Sequence, residues 1–386
     1  MSIAGIKRLM LSWSKFYLES PMAVSFYNFT DLHHKGFRED IKSRISKIID
    51  DGSFVEGEFN GKFEKEFALK QGAKHCLLVA NGTDALEIAL AAHGIGPGHK
   101  VGVPGITFYA TAEAVLNVGA EPIFIDVDPV SACMCPESLK RVMKEHTINA
   151  IMPVHIYGLP APIKALEAVC QPAGIPIIED AAQAQGTFVD GKPVGSTNNF
   201  VTFSFYPTKN LSAFGDAGAI LCQDDELATI VKTIRNHGRG DANRLGRNSR
   251  CDHMQAAVLD LKMKDIDGYN QNRKKIAAWY NEALKELDVE ILPEHFVESS
   301  SWHLYPIKLA NVDQRVGLQE HLKSQNIGTT PFYERAMSQE KALGDYKGED
   351  SVAKSLAGRL LCLPMNPFLT KENVKEVAKE IANFLS

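Results

Sequence analysis

The chain has no excess of basic residues. It carries 42 Lys and Arg against 47 Asp and Glu, a net charge of −5 over 386 residues. Nucleic-acid-binding surfaces normally show the opposite balance, so that class is set aside. No uninterrupted apolar run is long enough to span a bilayer, which argues against stable membrane insertion. The seven cysteines, at 76, 133, 135, 170, 222, 251 and 362, contain no Cys-x-x-Cys, and no Cys/His set has metal-ligand spacing. Most sit inside apolar runs, as expected of reduced, buried thiols in a cytosolic protein. Internal repeats, low-complexity tracts and Pro/Ser linkers are also missing. What remains is 45% hydrophobic and 23% charged, an ordinary globular composition. The length suits two domains, or one large α/β domain with an appendage.

The segment Met1–Pro21 carries Lys7 and Arg8, then a short apolar run broken by Lys15. It lacks the apolar core and small-residue cleavage site of a signal peptide. A basic amphipathic surface helix is one reading of it. The favoured expectation is a frayed extension, residues 1–26, upstream of a start near Met22.

From His75 onward short apolar runs recur: Cys76–Ala80, Val101–Val103, Pro122–Ile125, Ala150–Val154, Ile175–Ile178, Phe200–Phe205 and Ala219–Cys222. They are too short for core helices and rich in Val, Ile and Phe, so they predict buried strands. Helical patterns lie between them at Thr83–His93, Leu139–Lys144 and Ile163–Val169. Strand and helix in alternation predict an α/β fold with a mostly parallel seven-stranded sheet covered on both faces. A long helical pattern runs from Asp252 through Leu284. Beyond it, a strand at Trp302–Leu309 and helices at Arg315–Ser324 and Lys371–Leu385 predict a smaller α/β domain. The expected division is a large domain over 27–265 and a small one over 266–386.

Ligands in open α/β sheets sit at the carboxyl ends of the strands, so the turns that leave those ends carry the chemistry. Asn81-Gly82-Thr83 comes directly after the first strand and opens a helix. Free backbone N–H groups there suit a phosphate, although an ordinary N-cap reads the same way. Gly94-x-Gly96-x-Gly98 ends a helix and lacks dinucleotide-loop spacing. Ile177–Gln183 is an apolar strand ending in two carboxylates, Glu179 and Asp180, then two alanines. One carboxylate can neutralise a cationic ring nitrogen, and the alanines leave room for a flat ligand. Phe203–Asn210 holds a single lysine, Lys209, in an uncharged frame; a desolvated lysine can form a Schiff base. Gly246–Arg250 is a polar turn with two cations, suited to anions or to solvent. Together these features fit pyridoxal 5′-phosphate, PLP.

On these residues the chain resembles the DegT/DnrJ/EryC1/StrS family of sugar aminotransferases. The matching segments are Asn81–Leu90, Thr107–Val115, Pro153–Gly158, Glu179–Gly186, Ser204–Ile220, Gly246–Leu259 and Leu361–Pro367. The resemblance runs from about Tyr27 to near the C-terminus and implies the type I PLP-dependent transferase fold, usually a homodimer with shared active sites. It implies that Lys209 holds PLP as a Schiff base and shuttles the proton, with Asp180 on the ring nitrogen and Gln183 on the ring hydroxyl. It implies stacking by Phe108 on one ring face and Ala182 on the other. The Gly82 and Thr83 amides and the Ser204 hydroxyl would hold the phosphate, joined by Asn248 from the partner subunit. Glutamate would donate the amine, and a nucleotide-linked keto-deoxysugar would accept it for polysaccharide or deoxyaminosugar synthesis.

Lysine at 209, where dehydratase relatives carry histidine, favours transamination. Gly215-Asp216-Ala217-Gly218, in place of the Glu-Gly-Gly common in carbon-4 enzymes, points to carbon 3. Two departures bear on substrate contacts: Ala217 replaces a common glycine, and Arg235–Arg247 is shorter than in many relatives. His155, His303 and Tyr333 are candidates to line the sugar pocket, and Arg250 to hold a carboxylate or nucleotide phosphate. Strand-end packing, core hydrogen bonds and an interface salt bridge are the plainer alternatives for them. A carbon-4 enzyme and a non-catalytic regulatory protein of the same fold are the competing functions.

Overall fold

The computed structural model describes residues 23–343 and 347–386. The expectation for Met1–Pro21 lies outside the described residues. The apolar runs become strands β1 His75–Val79, β2 Lys100–Pro104, β3 Glu121–Ile125, β4 Ala150–Ile151, β5 Ile178–Asp180, β6 Phe200–Ser204 and β7 Gly218–Cys222. A three-stranded part, β3-β2-β4, and a four-stranded part, β5-β6-β7-β1, meet along β4 and β5. Bridges Ile151–Ile177 and Val154–Asp180 join them into seven strands. Six run parallel, while β7 is antiparallel to both β6 and β1.

Alternation along each strand feeds two faces. Leu77 and Val79 of β1 join one core with helices α3 Gly82–Ala92, α4 Ala110–Asn117 and α7 Asp225–Arg235. Cys76 and Leu78 join the opposite core with α2 Glu58–Gln71 and α8 His253–Lys262. Under β3 and β4 that face is continued by α5 Pro136–Glu145 and α6 Ile163–Cys170. The result is three layers, α/β/α. The N-terminal helix α1 Lys35–Asp51 packs Phe37, Ile41 and Ile48 on α8.

The long helical pattern is two helices rather than one. α8 ends at Lys262 and α9 spans Ile266–Leu284. Ala256 and Leu259 of α8 pack on the large sheet, whereas Ile276, Tyr280 and Leu284 of α9 pack in a different core. A straight rod could not serve both, so the chain turns at 263–265. That second core surrounds an antiparallel pair, β8 Tyr305–Lys308 and β9 Leu360–Leu363, with α10 Val312–Ser324 and α11 Lys371–Leu385. α11 buries Val374, Val377, Ala378 and Ile381, one stripe at helical spacing. The strand expected at Trp302–Leu309 starts only at Tyr305. Trp302 holds a positive φ of 47° and its loop is tied to 157–158 through Ser301 and Leu304 amides.

The seven cysteines are free and all but Cys135 are buried. Among the described residues no helix is long and apolar enough to cross a membrane.

Asp126, at the carboxyl end of β3, fastens the second core to the sheet. Its carboxylate accepts the Val352 and Ala353 amides at 2.8 and 2.9 Å and the Ser351 hydroxyl at 3.0 Å. Asp126→Ala leaves these donors without an acceptor, which should cost about 3 kcal/mol. Urea unfolding should show it as a lower midpoint; an unchanged midpoint would mean the clasp is dispensable.

Candidate active site

The strand ends converge as the sheet topology requires. Asp180 closes β5, Ser204 closes β6, Asn81-Gly82-Thr83 comes just after β1, and Lys209 lies five residues beyond β6.

At the turn after β1, the Asn81 side chain accepts the Asp84 amide at 2.8 Å and starts α3. The Gly82 and Thr83 amides precede the helical ladder and find no acceptor among the described residues. Ser204 lies against Gly82: a Cβ there would come within 2.7 Å of the Ser204 Cβ. Gly218 of β7 is as constrained, since its Cβ would meet the Asn81 carbonyl oxygen at 2.4 Å. Two glycines thus let backbone and a hydroxyl close to a tight concavity at a helix N-terminus, a cradle for a phosphate. From below, the Gln185 side-chain amide donates to the Ser204 carbonyl at 2.6 Å and steadies that strand end.

Asp180 is buried. One carboxylate oxygen accepts the Ala182 amide at 3.1 Å, and the other accepts the Thr111 hydroxyl at 2.9 Å. Thr111 and Thr107 are themselves 2.7 Å apart. Burial raises the Asp180 pKa, opposed by these hydrogen bonds and by the Lys209 charge. The Lys209 side chain is half-buried on a cleft, and its amine finds no acceptor among the described residues. Desolvation lowers its pKa to about 8, with Asp180 pulling the other way. The two groups therefore share one electrostatic site.

Around them, Gln183 accepts the Tyr157 amide at 2.5 Å and donates to the Tyr333 hydroxyl at 3.2 Å. Burial raises the Tyr333 pKa, so the phenol stays protonated. His303 is buried, its Nδ1 lies 3.2 Å from the Asn210 side-chain oxygen, and burial together with Lys209 and Arg273 holds it neutral. Phe108 is 58% exposed at the start of α4, an aromatic face open to a ligand. Ala182 is half-buried beside Asp180.

Of the expected residues, His155 is placed differently, while Asn248 and Arg250 do not line the Lys209 cleft of their own chain. His155 does not line a sugar pocket. It is fully buried, its Nδ1 accepts the Ala161 amide at 3.0 Å and its Nε2 donates to Glu179 at 2.8 Å. Both ring nitrogens are used, and Thr197 and Asn199 complete the Glu179 carboxylate at 2.6 and 2.8 Å. Asn248 is exposed and accepts from Arg250 at 2.9 Å, while Arg250 also donates to Asn236 at 2.8 Å. Arg250 lies with Arg235 on a cleft of its own, apart from the residues lining the one at Lys209. The residues missed by sequence reasoning are Thr111, Glu179 in its paired role, Asn210 and Arg273. Thr111 stands inside a matched segment, but its carboxylate partner is 69 positions away.

A model of the DegT/DnrJ/EryC1/StrS aminotransferase family matches residues 36–382. The chain belongs to that family. It is similar to the UDP-N-acetyl-3-dehydro-α-D-glucosamine 3-aminotransferase of Acidithiobacillus ferrooxidans, 39% identical over 357 residues, 92% of this chain and 96% of that one. Its fold is that of a family aminotransferase from Brucella abortus, with TM-score 0.88, 37% identity and coverage of 94% and 99%. It also matches NtdA from Bacillus subtilis, solved with bound cofactor PMP, with TM-score 0.85, 28% identity and coverage of 95% and 86%. The chain is therefore a PLP-dependent aminotransferase of type I fold. The residues present fit the cofactor: an open amide cradle closed by glycines, a buried carboxylate and an unpaired lysine amine.

Because the Lys209 pKa is lowered, its neutral amine is gained as pH rises through about 8 rather than through 10.5. Uptake of PLP by the cofactor-free protein should accelerate across that lower window, followed by the visible absorption band. A midpoint near 10.5 would mean that the amine is not desolvated.

Proposed function

We propose that this aminotransferase moves an amino group from glutamate to carbon 3 of a nucleotide-linked keto-deoxysugar. A dTDP-3-keto-6-deoxyhexose or a related UDP or GDP sugar is the expected class. The observation that carries the reading is the unpaired Lys209 amine within the field of the buried Asp180 carboxylate, together with the open Gly82–Thr83 turn. Support for carbon 3 comes from the Acidithiobacillus relative, which is a 3-aminotransferase, and from Gly215-Asp216-Ala217-Gly218.

When bound, PLP supplies an electron sink that makes the substrate's C–H bond acidic. The chain's residues do the rest. The Gly82 and Thr83 amides and the Ser204 hydroxyl hold the phosphate, using the helix N-terminus. Asp180 keeps the ring nitrogen protonated, because an adjacent anion raises its pKa. Thr111 and the Ala182 amide hold that carboxylate in place. Gln183 donates to the ring hydroxyl, with Tyr333 and the Tyr157 amide fixing its rotamer. Phe108 and Ala182 enclose the ring between them. Lys209 would take the proton from one carbon and return it to another once its amine is free. Its lowered pKa suits that exchange near neutral pH. His303, within the field of Lys209, and Tyr333, bonded to Gln183, are assigned to the sugar.

Asn248 and Arg250 are assigned to the neighbouring subunit's cofactor phosphate and substrate in a homodimer. The exposure of Asn248 and the place of Arg250 on a cleft other than that of Lys209 fit a role in trans. The division at 265/266 fits two bodies closing on the cleft. A cytoplasmic site of action in polysaccharide or deoxyaminosugar synthesis completes the reading. The regulatory alternative is disfavoured because the lysine and carboxylate are both intact.

A visible spectrum before and after glutamate tests the proposal. A lysine-bound PLP band that converts to the pyridoxamine form supports it, and a band unmoved by glutamate overturns the donor assignment. Lys209→Ala should abolish turnover while leaving the fold intact by circular dichroism; retained turnover would sink the mechanism. Asn248→Ala should weaken PLP retention about tenfold through loss of a charge-assisted contact. Unchanged retention would remove Asn248 from the shared site.

A further inference from the structure

Two buried threonine hydroxyls lead to the Asp180 carboxylate. Thr107 precedes α4 and Thr111 lies in its first turn; both are fully buried, and their hydroxyl oxygens are 2.7 Å apart. Thr111 donates to Asp180 Oδ2 at 2.9 Å, while Oδ1 takes the Ala182 amide at 3.1 Å. A helical threonine ordinarily returns its hydroxyl to the carbonyl four residues earlier. Thr229 and Thr233 of α7 do so, onto the Asp225 and Thr229 carbonyls at 2.9 and 3.0 Å. Thr111 instead gives its proton to a carboxylate 69 positions away.

The direction of the pair follows from its end. An ionised carboxylate only accepts, so the single Thr111 proton is committed to Asp180. The Thr111 oxygen must therefore accept, and Thr107 donates to it. The result is a one-way chain from Thr107 to Thr111 to Asp180, in which the first hydroxyl polarises the second. Both side chains are β-branched, so their rotamers are largely preset. Phe108, between them in sequence, is exposed on the same segment. Burial favours the neutral acid at Asp180 and the hydrogen-bond donors oppose it; Lys209 and His155 are the titratable groups that act with the donors.

We propose that Thr107 and Thr111 are positioning residues that keep Asp180 ionised with the cofactor bound, so that the proton between Asp180 and the ring nitrogen stays on the nitrogen. Loss of a donor to the charged form makes the carboxylate more basic. The proton would then pass to Asp180: the N–H bond breaks, an O–H bond forms, and both charges disappear. A neutral ring is the weaker electron sink. Neither hydroxyl needs to touch substrate, because its influence passes through Asp180. The segment 107–111 thus supplies both the aromatic assigned to one ring face and the hydroxyls that set the ring's charge. The inference rests on the assignment of Asp180 to the ring nitrogen and deepens it.

The test uses the enzyme loaded with PLP that carries a nitrogen-15 label in the ring, as wild type and as Thr111→Val, Thr111→Ser and Thr107→Val. The NMR shift of the label reads whether that nitrogen is protonated, with no turnover needed. Wild type should lie near the protonated limit. Thr111→Val should move toward the neutral limit and slow the reaction with glutamate about tenfold, as for loss of a hydrogen bond to a charged group. Thr107→Val should shift the same way by less, with a rate loss of about threefold. Thr111→Ser keeps the hydroxyl and should match wild type. Lower PLP occupancy with an unmoved shift in the loaded fraction of Thr111→Val is the outcome of a merely structural role and overturns the proposal. If Thr111→Val holds no PLP, Thr107→Val decides alone by the same shift. A wild-type shift at the neutral limit would instead remove Asp180 from the ring nitrogen, and the proposal with it.

Discussion

The site depends on one carboxylate being kept out of water at the end of a strand. Asp180 can be buried because each oxygen has a fixed donor, the Ala182 amide on one side and the Thr111 hydroxyl on the other. Those donors come from its own turn and from α4, so the strand end and the helix must both be in register before the charge is tolerable. Its neighbour Glu179 points to the opposite side of the strand and is satisfied there by His155, Thr197 and Asn199. Two adjacent buried carboxylates on opposite faces pin β5 from both sides. His155 thereby acts as a structural strut, and its backbone amide also donates to the Asp180 carbonyl at 3.0 Å.

That pinning reaches into the second core. The turn after β4 carries Tyr157, whose amide holds Gln183 and whose hydroxyl donates to the Phe332 carbonyl at 2.8 Å. Gly158 accepts from Thr187 and from the Ser301 amide, which places the loop that carries His303. Asn210, immediately after Lys209, donates to Asn270 and to the Ser301 carbonyl. The lysine loop, the His303 loop and α9 are therefore one hydrogen-bonded unit. His303, Tyr333 and Arg273 thus sit on the second core and the loops bound to it, whereas Asp180 and the phosphate turn belong to the strands.

The sheet and its strand-end chemistry are legible in the sequence because both are local. Apolar runs bounded by polar turns mark the strands, and residues at run ends fall at the ligand-bearing edge by topology alone. Asn81-Gly82-Thr83, Asp180 and Lys209 are found that way, and family resemblance sharpens their roles. What stays hidden is long-range. Thr111 is informative only once β5 lies beside α4. His155 looks like a pocket residue because it lies just past a strand, yet the burial of Glu179 captures it. The break between α8 and α9 is illegible because helical periodicity continues through it, while the turn itself comes from two cores in different directions.

The electrostatics of the cleft show why the lysine is usable. Asp180 by itself would hold Lys209 protonated, since an opposite charge nearby favours the ammonium form. Desolvation outweighs it, and the lysine's pKa falls to about 8. The same burial acts on His303, where two nearby cations add to the effect and keep the imidazole neutral. Its Nδ1 is engaged with the Asn210 oxygen, which leaves Nε2 as an acceptor in the neutral ring. The cleft consequently presents one amine poised between its charge states, one acceptor nitrogen and one guanidinium that burial does not neutralise. An incoming amino acid brings an ammonium and a carboxylate to that arrangement. Its ammonium must give up a proton to react. Cationic Arg273 and any protonated Lys209 disfavour the ammonium form, whereas Asp180 favours it.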